Sequence, residues 1–246
     1  MELIMEIAQQ MIESGAEIGR VEESVNRMCS AYGTTPQVYA TSSSIILTVY
    51  HPDGAFWTMT RRVKKSVSNM ERLHHLNDLV RWITANAPSE EEIAQRLGKI
   101  KNISCYSTFS QLFCYALISS SFTVFFGARD GWEILFSALI GVSVGLASMG
   151  LDLLRCNSIL SRFLCSFASS IAALVLFRLG WVPTVDNIII GNIMAQIPGI
   201  GLTNALRDLL TGETITGLMR FMETVLLAIA IASGYWVSVF AIGGLL

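Results

Sequence analysis

Residues 106–126 contain no Asp, Glu, Lys or Arg, and no other stretch constrains the fold so tightly. At about 1.5 Å per residue, a helix of about 20 residues crosses a hydrocarbon core of about 30 Å. Lys99 and Lys101 stand before the run and Arg129 and Asp130 after it, so charges bracket the stretch at its two ends. Four further apolar runs follow at about 132–151, 159–179, 187–206 and 217–243, the last long enough to tilt. The second carries one acid, Glu133, near its edge and small residues at Gly141, Gly145 and Ser148, which let a neighbouring helix come close. Residues 1–105 hold 23 of the charged side chains, and the longer remainder holds 13. The expected fold is a polytopic α-helical membrane protein with an N-terminal cytoplasmic α+β domain, divided into 1–105 and 106–246.

Basic residues near the ends of the spans set the expected orientation. With the front domain in the cytoplasm, Arg155, Arg162, Arg207 and Arg220 fall inside and only Arg129 and Arg178 outside. Five crossings then place the C-terminus outside. A second five-span unit of the same kind would enter from the other face, giving the inverted pair on which many transporters build alternating access. The formal net charge of −2 and pI near 5.9 lack the basic footprint of a nucleic-acid binder. The opening MELIMEIAQQ begins with acids, unlike a secretory signal. Five cysteines with no CxxC pair, and no His at ligand spacing, point to neither a disulfide framework nor a metal site, and no cofactor is expected.

The fourth run is the most polar of the five. It contains Asn192, Gln196, Pro198, Gly199, Gly201 and Asn204. Proline removes a donor and glycine loosens the backbone, so IPGIG at 197–201 predicts a helix broken at mid-depth. Two readings stay open. Freed backbone groups and amides line a wet cavity, which makes Asn192, Gln196, Pro198, Gly199 and Asn204 candidates for substrate binding. Alternatively, the break is a packing kink whose amides bond neighbouring helices. Beyond it, Arg207, Asp208, Arg220 and Glu223 form either a coupling or gating group or an interfacial ion-pair cluster. Glu223 lies a turn or more inside by these boundaries and is the better proton carrier, because burial raises a carboxyl pKa. The hydroxyls of Ser119–Ser121 and Thr123 are expected to bond back to the preceding turn.

In the front half, an apolar stripe predicts one amphipathic helix over 3–32, stopped by Gly33. Two β-like runs at 37–40 and 44–50 precede the turn His51-Pro52-Asp53-Gly54, and a third follows at 55–60. A second helix is expected over 68–86, and a third, capped by Ser89 with Glu90, Glu91 and Glu92 in its first turn, to about 97. Glu13, Glu17, Arg20 and Glu23 fall on one face, as a solvated salt-bridge stripe or a docking surface. His51, His74 and His75 form no metal pair, and no nucleophile motif or phosphate loop accompanies them, so an enzyme is not expected.

Three segments together, GAEIGRVEESVNRMCSAYG (15–33), SIILTVYHPDG (44–54) and NIMAQIPGIGLTNALRDLLTGETITGLMRFMET (192–224), resemble the threonine/serine exporter family. The similarity covers nearly the whole chain and is greatest to the short, two-subunit form. There, a cytoplasmic domain with about five spans makes one subunit, and a smaller, separately encoded membrane subunit supplies the rest. The resemblance implies a secondary transporter of the bacterial inner membrane, proton-driven, acting within a hetero- or homo-oligomer in the lipid bilayer. Its substrates would be small polar metabolites, threonine and serine or, in a two-subunit branch, succinate. The motif positions that carry over are Gly15, Glu17, Arg20, Glu22 and Glu23 in front. At the back they are Pro198, Gly199, Arg207, Asp208, Gly212, Gly217, Arg220 and Glu223. The competing class is a membrane-anchored regulatory or scaffold subunit with no transport activity of its own. A polar, proline-broken span speaks against it, since an anchor has no use for one.

Overall fold

A computed structural model describes residues 1–50, 55–63, 69–103 and 106–243. The chain divides into two units: Met1–Cys105 with Thr203–Arg220, and Tyr106–Leu202 with Phe221–Leu246. A segment late in the chain therefore belongs to the first unit. The expected turn at 51–54 with His51, the start of the next helix at Ser68, and Cys105 lie outside the described residues.

In the first unit, α1 (Glu2–Glu13) buries Ile4, Ile7 and Met11, and α2 (Ile18–Ala31) buries Ile18, Val21, Val25 and Met28. The single helix expected over 3–32 is thus two helices. Gly15 sits at φ +94, and the N–H groups of Gly15 and Ala16 donate to the carbonyls of Ile12 and Met11 at 3.0 Å each, a Schellman ending. Met11 and Ile18 are seven residues apart, so the apolar period runs in phase through the break and conceals it. Strands β1 (Thr35–Ala40), β2 (Ser44–Tyr50) and β3 (Phe56–Arg62) form an antiparallel sheet in the order β1-β2-β3, with Val38 opposite Leu47 and Thr48 opposite Thr58. The two-residue period turns Ile45, Leu47 and Val49 into the core and leaves Ile46 and Tyr50 exposed. Helix α3 (Met70–Asn86) starts at Asn69, whose Oδ1 accepts the Arg72 N–H at 3.0 Å. Helix α4 (Glu90–Lys101) has the expected capping box of Ser89 and Glu92, and extends a turn past 97, with Lys99 and Lys101 near its C-terminal end.

The second unit is built from α5 (Thr108–Phe125), α6 (Gly131–Leu153), α7 (Ser158–Arg178), α8 (Asp186–Met194), the first residues of α9 (Gly199–Leu210) and most of α10 (Thr214–Gly243). Ser107, Asp130 and Asn157 cap α5, α6 and α7 by accepting N–H groups of their first turns. Four helices, α5, α6, α7 and α10, are long and apolar enough to span a bilayer. The pair α8 and α9, bent by 55°, makes up to five. Burial in this unit is inverted relative to a water-soluble domain. Phe109 is 79% and Phe240 73% exposed, whereas Ser119, Thr123, Ser137, Ser166, Ser169, Ser170 and Asn192 are buried. An apolar outside around a hydroxyl-rich inside suits lipid, where helices associate through small residues and polar bonds.

Candidate functional site

The second unit contains a continuous polar seam running from α8 through α6 to α5. Asn192 Nδ2 donates to the Ile188 carbonyl at 2.9 Å, one turn back, and to Ser137 Oγ at 3.1 Å. Ser137 and Thr123 hydroxyls meet at 2.6 Å, and Thr123 Oγ1 donates to the Ser119 carbonyl at 2.9 Å. Gln196 Nε2 extends the seam by donating to the Asn192 carbonyl at 3.4 Å. Both amide side chains belong to residues only 1% exposed. Even so, Asn192 Oδ1, Gln196 Oε1 and Ser119 Oγ are buried without a partner among the described residues. A buried, unbonded acceptor costs about 1–3 kcal/mol, so three in one seam mark a place where a ligand's own groups would be stabilising. Glycine makes the seam possible. A Cβ on Gly191 would meet Thr123 Oγ1 and lie 2.7 Å from the Ser119 carbonyl, and one on Gly141 would lie 2.8 Å from Ser119 Cβ.

A second constellation lies within the first unit and joins the α1–α2 turn to the segment 203–220. Asn204 Nδ2 donates to the Gly15 carbonyl at 3.4 Å, Arg220 Nη2 donates to the Ala16 carbonyl at 3.2 Å, and Arg207 pairs with the Glu17 carboxylate. Three consecutive residues of the turn are thus each held by a different residue of the late segment. Arg220 Nη1 also pairs with Asp208 Oδ2 at 2.9 Å, with side chains 13% and 2% exposed. The chain reverses between them at Gly212, φ +95, and at Gly217 a Cβ would lie 2.7 Å from the Leu209 nitrogen. Nearby, Glu22 Oε1 accepts the Ala40 N–H at 2.6 Å. Burial pushes the Glu22 carboxyl above the ordinary carboxylate range; the Ala40 bond opposes this and the Glu213 carboxylate adds to it.

The residues that build both constellations fall inside one family match. The threonine/serine exporter family model covers residues 2–243. The chain belongs to the threonine/serine exporter family. It is 25% identical over 248 residues to "Threonine/serine exporter" of Corynebacterium glutamicum, covering 95% of this chain and 49% of that protein. It is 23% identical over 238 residues to "Probable succinate transporter subunit YjjP" of Klebsiella aerogenes, covering 94% and 90%. The chain therefore spans about half the length of the first relative and nearly all of the second. No solved structure matches.

In this exporter-family chain, the candidate residues sort into the two constellations. Asn192 and Gln196 lie together in the seam, while Pro198 is half-buried at the break and Gly199 is exposed at the start of α9. Asn204 lies with the charged group instead, beside Arg207, Asp208, Arg220, Gly15 and Glu17. Glu223 is exposed on α10. The stripe expected from Glu13 through Glu17 and Arg20 to Glu23 is not formed among the described residues. The turn at Gly15 separates its members: Glu13 accepts the amides of Gln9 and Gln10, Glu17 pairs with Arg207, and Glu23 faces Arg27 at 3.9 Å, while Arg20 is exposed. Cys29, buried, has its thiol pushed up to about 11 by burial, as a packing residue would. His74 and His75 lie on the surface beside Asp78 and Glu71. Sequence patterns gave no weight to Ser137, and the backward bond expected of Thr123 is present but is half of its role. The signal that could have found both is a small residue, Gly191, beside a buried amide in an apolar run.

Proposed function

We propose that this chain is one subunit of a secondary transporter that exports small polar metabolites, amino acids such as threonine and serine or dicarboxylates such as succinate. The observation that carries this reading is the pair of buried, unpartnered amide oxygens of Asn192 and Gln196 at the bent junction of α8 and α9. A helix broken there exposes half-helix ends where substrate groups can be bound. Pro198 and Gly199 create the break. The names of both relatives support transport, and the word subunit in the name of the second supports a separate, smaller membrane subunit that completes the path. Residues 1–105 lie on the cytoplasmic side of a bacterial inner membrane, and the C-terminus faces out.

Export is coupled to protons through the charged group. Protonation of Asp208 releases Arg220, and with it the Ala16 carbonyl, loosening the hold of the late segment on the α1–α2 turn. Glu223, exposed on α10, is the alternative carrier.

Liposomes holding the chain with and without the companion subunit, under an imposed pH gradient, test this with labelled serine, threonine and succinate. Asn192→Leu and Gln196→Leu abolish efflux while leaving membrane insertion intact. Asp208→Asn abolishes the pH-driven component but leaves exchange. Wild-type export by both amide variants discards the site.

A further inference from the structure

The direction of every hydrogen bond in the seam is fixed by its two backbone ends. Thr123 has one hydroxyl proton and gives it to the Ser119 carbonyl, which can only accept. In the 2.6 Å contact between the two hydroxyls, Ser137 must therefore be the donor. That uses the Ser137 proton, so Ser137 Oγ accepts from Asn192 Nδ2. The second Nδ2 proton goes to the Ile188 carbonyl, which rules out the flipped amide, since Oδ1 cannot face a carbonyl oxygen. Gln196 is oriented in the same way, its nitrogen held by the Asn192 carbonyl. Protons thus run away from the junction along the whole seam. The amide atoms left over, Asn192 Oδ1 and Gln196 Oε1, are both acceptors, on residues four apart in the chain.

The surrounding charges have the same preference. Among the described residues of the second unit no lysine or arginine is buried: Arg129, Arg155 and Arg178 are exposed and Arg162 is half-buried. Glu133, one turn before Ser137 on α6, is buried and holds Thr184. A carboxylate placed on the two amide oxygens would find acceptors facing acceptors and, among the described residues of the second unit, no buried cation. An ammonium would supply donors to these acceptors, and the Ser119 hydroxyl, also unpartnered, has lone pairs that can accept from it.

Resting on the substrate-site reading above, we infer that Asn192, Gln196 and Ser119 form a subsite for the ammonium end of the substrate, with Ser137 and Thr123 as positioning residues that hold the Asn192 oxygen outward. The carboxylate end is bound elsewhere, and of the two substrate classes named above this subsite selects the amino acids over a fully ionised dicarboxylate.

The test is calorimetric binding to the full chain in lipid nanodiscs near neutral pH, with four probes. L-serine has both ends, L-serine amide keeps only the ammonium, and N-acetyl-L-serine and succinate keep only carboxylates. Serine amide is expected to bind within about threefold of serine, and the two anions at least about tenfold more weakly. Gln196→Glu, which keeps the acceptor and adds a charge, tightens serine amide, whereas Gln196→Met weakens it. Ser137→Ala, which touches no ligand, weakens serine and serine amide by the same factor, and Ser137→Thr restores both. If N-acetylserine or succinate binds as tightly as serine and Gln196→Met weakens that binding, the ammonium assignment is overturned and the site stands. If Asn192→Leu and Gln196→Met change none of the four affinities, or wild type shows no saturable binding, the site reading falls and takes this inference with it.

Discussion

In the first unit Ile45, Leu47 and Val49 are fully buried under α1 and α2 while glutamates and arginines cover the helices; in the second, Leu139 and Phe240 face outward while Ser137, Thr123 and Asn192 are buried. One chain thus follows two opposite rules, and the difference shows which solvent each part is matched to. Where water is outside, removing apolar area drives assembly. Where acyl chains are outside that force is absent, and close approach at Gly141 and Gly191 with bonds between hydroxyls and amides takes its place. The exception within the first unit is also instructive: Asp208 is a buried carboxylate, paired with a half-buried Arg220, in the half that otherwise keeps its carboxylates nearer the surface.

That exception gives the largest expected effect. Asp208→Ala removes the buried carboxylate that pairs with Arg220 and is expected to cost about 3–5 kcal/mol, read as a fall in thermal midpoint of the purified chain. Asp208→Ala with Arg220→Met recovers most of the loss, because both charges are removed together. A matched pair of truncations comes next. Leu47→Ala is expected to cost about 2–5 kcal/mol, and Leu139→Ala, chemically identical but on the outward face of α6, less than about 0.5 kcal/mol. Equal costs would end the contrast between the two units. Gly15→Ala forces a side chain into positive φ and is expected to cost about 1–2 kcal/mol, with faster proteolysis at the α1–α2 turn. The smallest effect belongs to Glu22. Its carboxyl is raised in the folded state, so its contribution to stability is full below the unfolded pKa and is lost as pH rises through the folded one. Glu22→Gln keeps an oxygen for the Ala40 N–H and removes the charge. At neutral pH it should therefore melt above wild type, with the difference vanishing as pH falls below the carboxylate range.

Local patterns were most legible where one element could be read by itself. The uncharged run at 106–126 becomes α5, the alternation at 44–50 becomes β2, and the Ser89 box starts α4. The break in the fourth run, expected from IPGIG, is the 55° bend between α8 and α9. What stayed hidden depended on partners distant in the chain. Glu17 looked like a member of a helical stripe because Arg207, its partner, is 190 positions away. Arg220 reaches Asp208 across the reversal at Gly212, a pairing that no helical spacing announces. Ser137 carries no pattern at all until Asn192 is packed against it.

The hold of Asn204, Arg207 and Arg220 on residues 15–17 has a consequence for biogenesis. During synthesis the turn emerges first, and the groups that complete it follow about 200 residues later, on the order of 10–40 s at ordinary elongation rates. Until then the Gly15 and Ala16 carbonyls have only water. The front of this protein cannot reach its finished form before the ribosome has delivered most of the membrane helices, so its maturation is timed by their insertion.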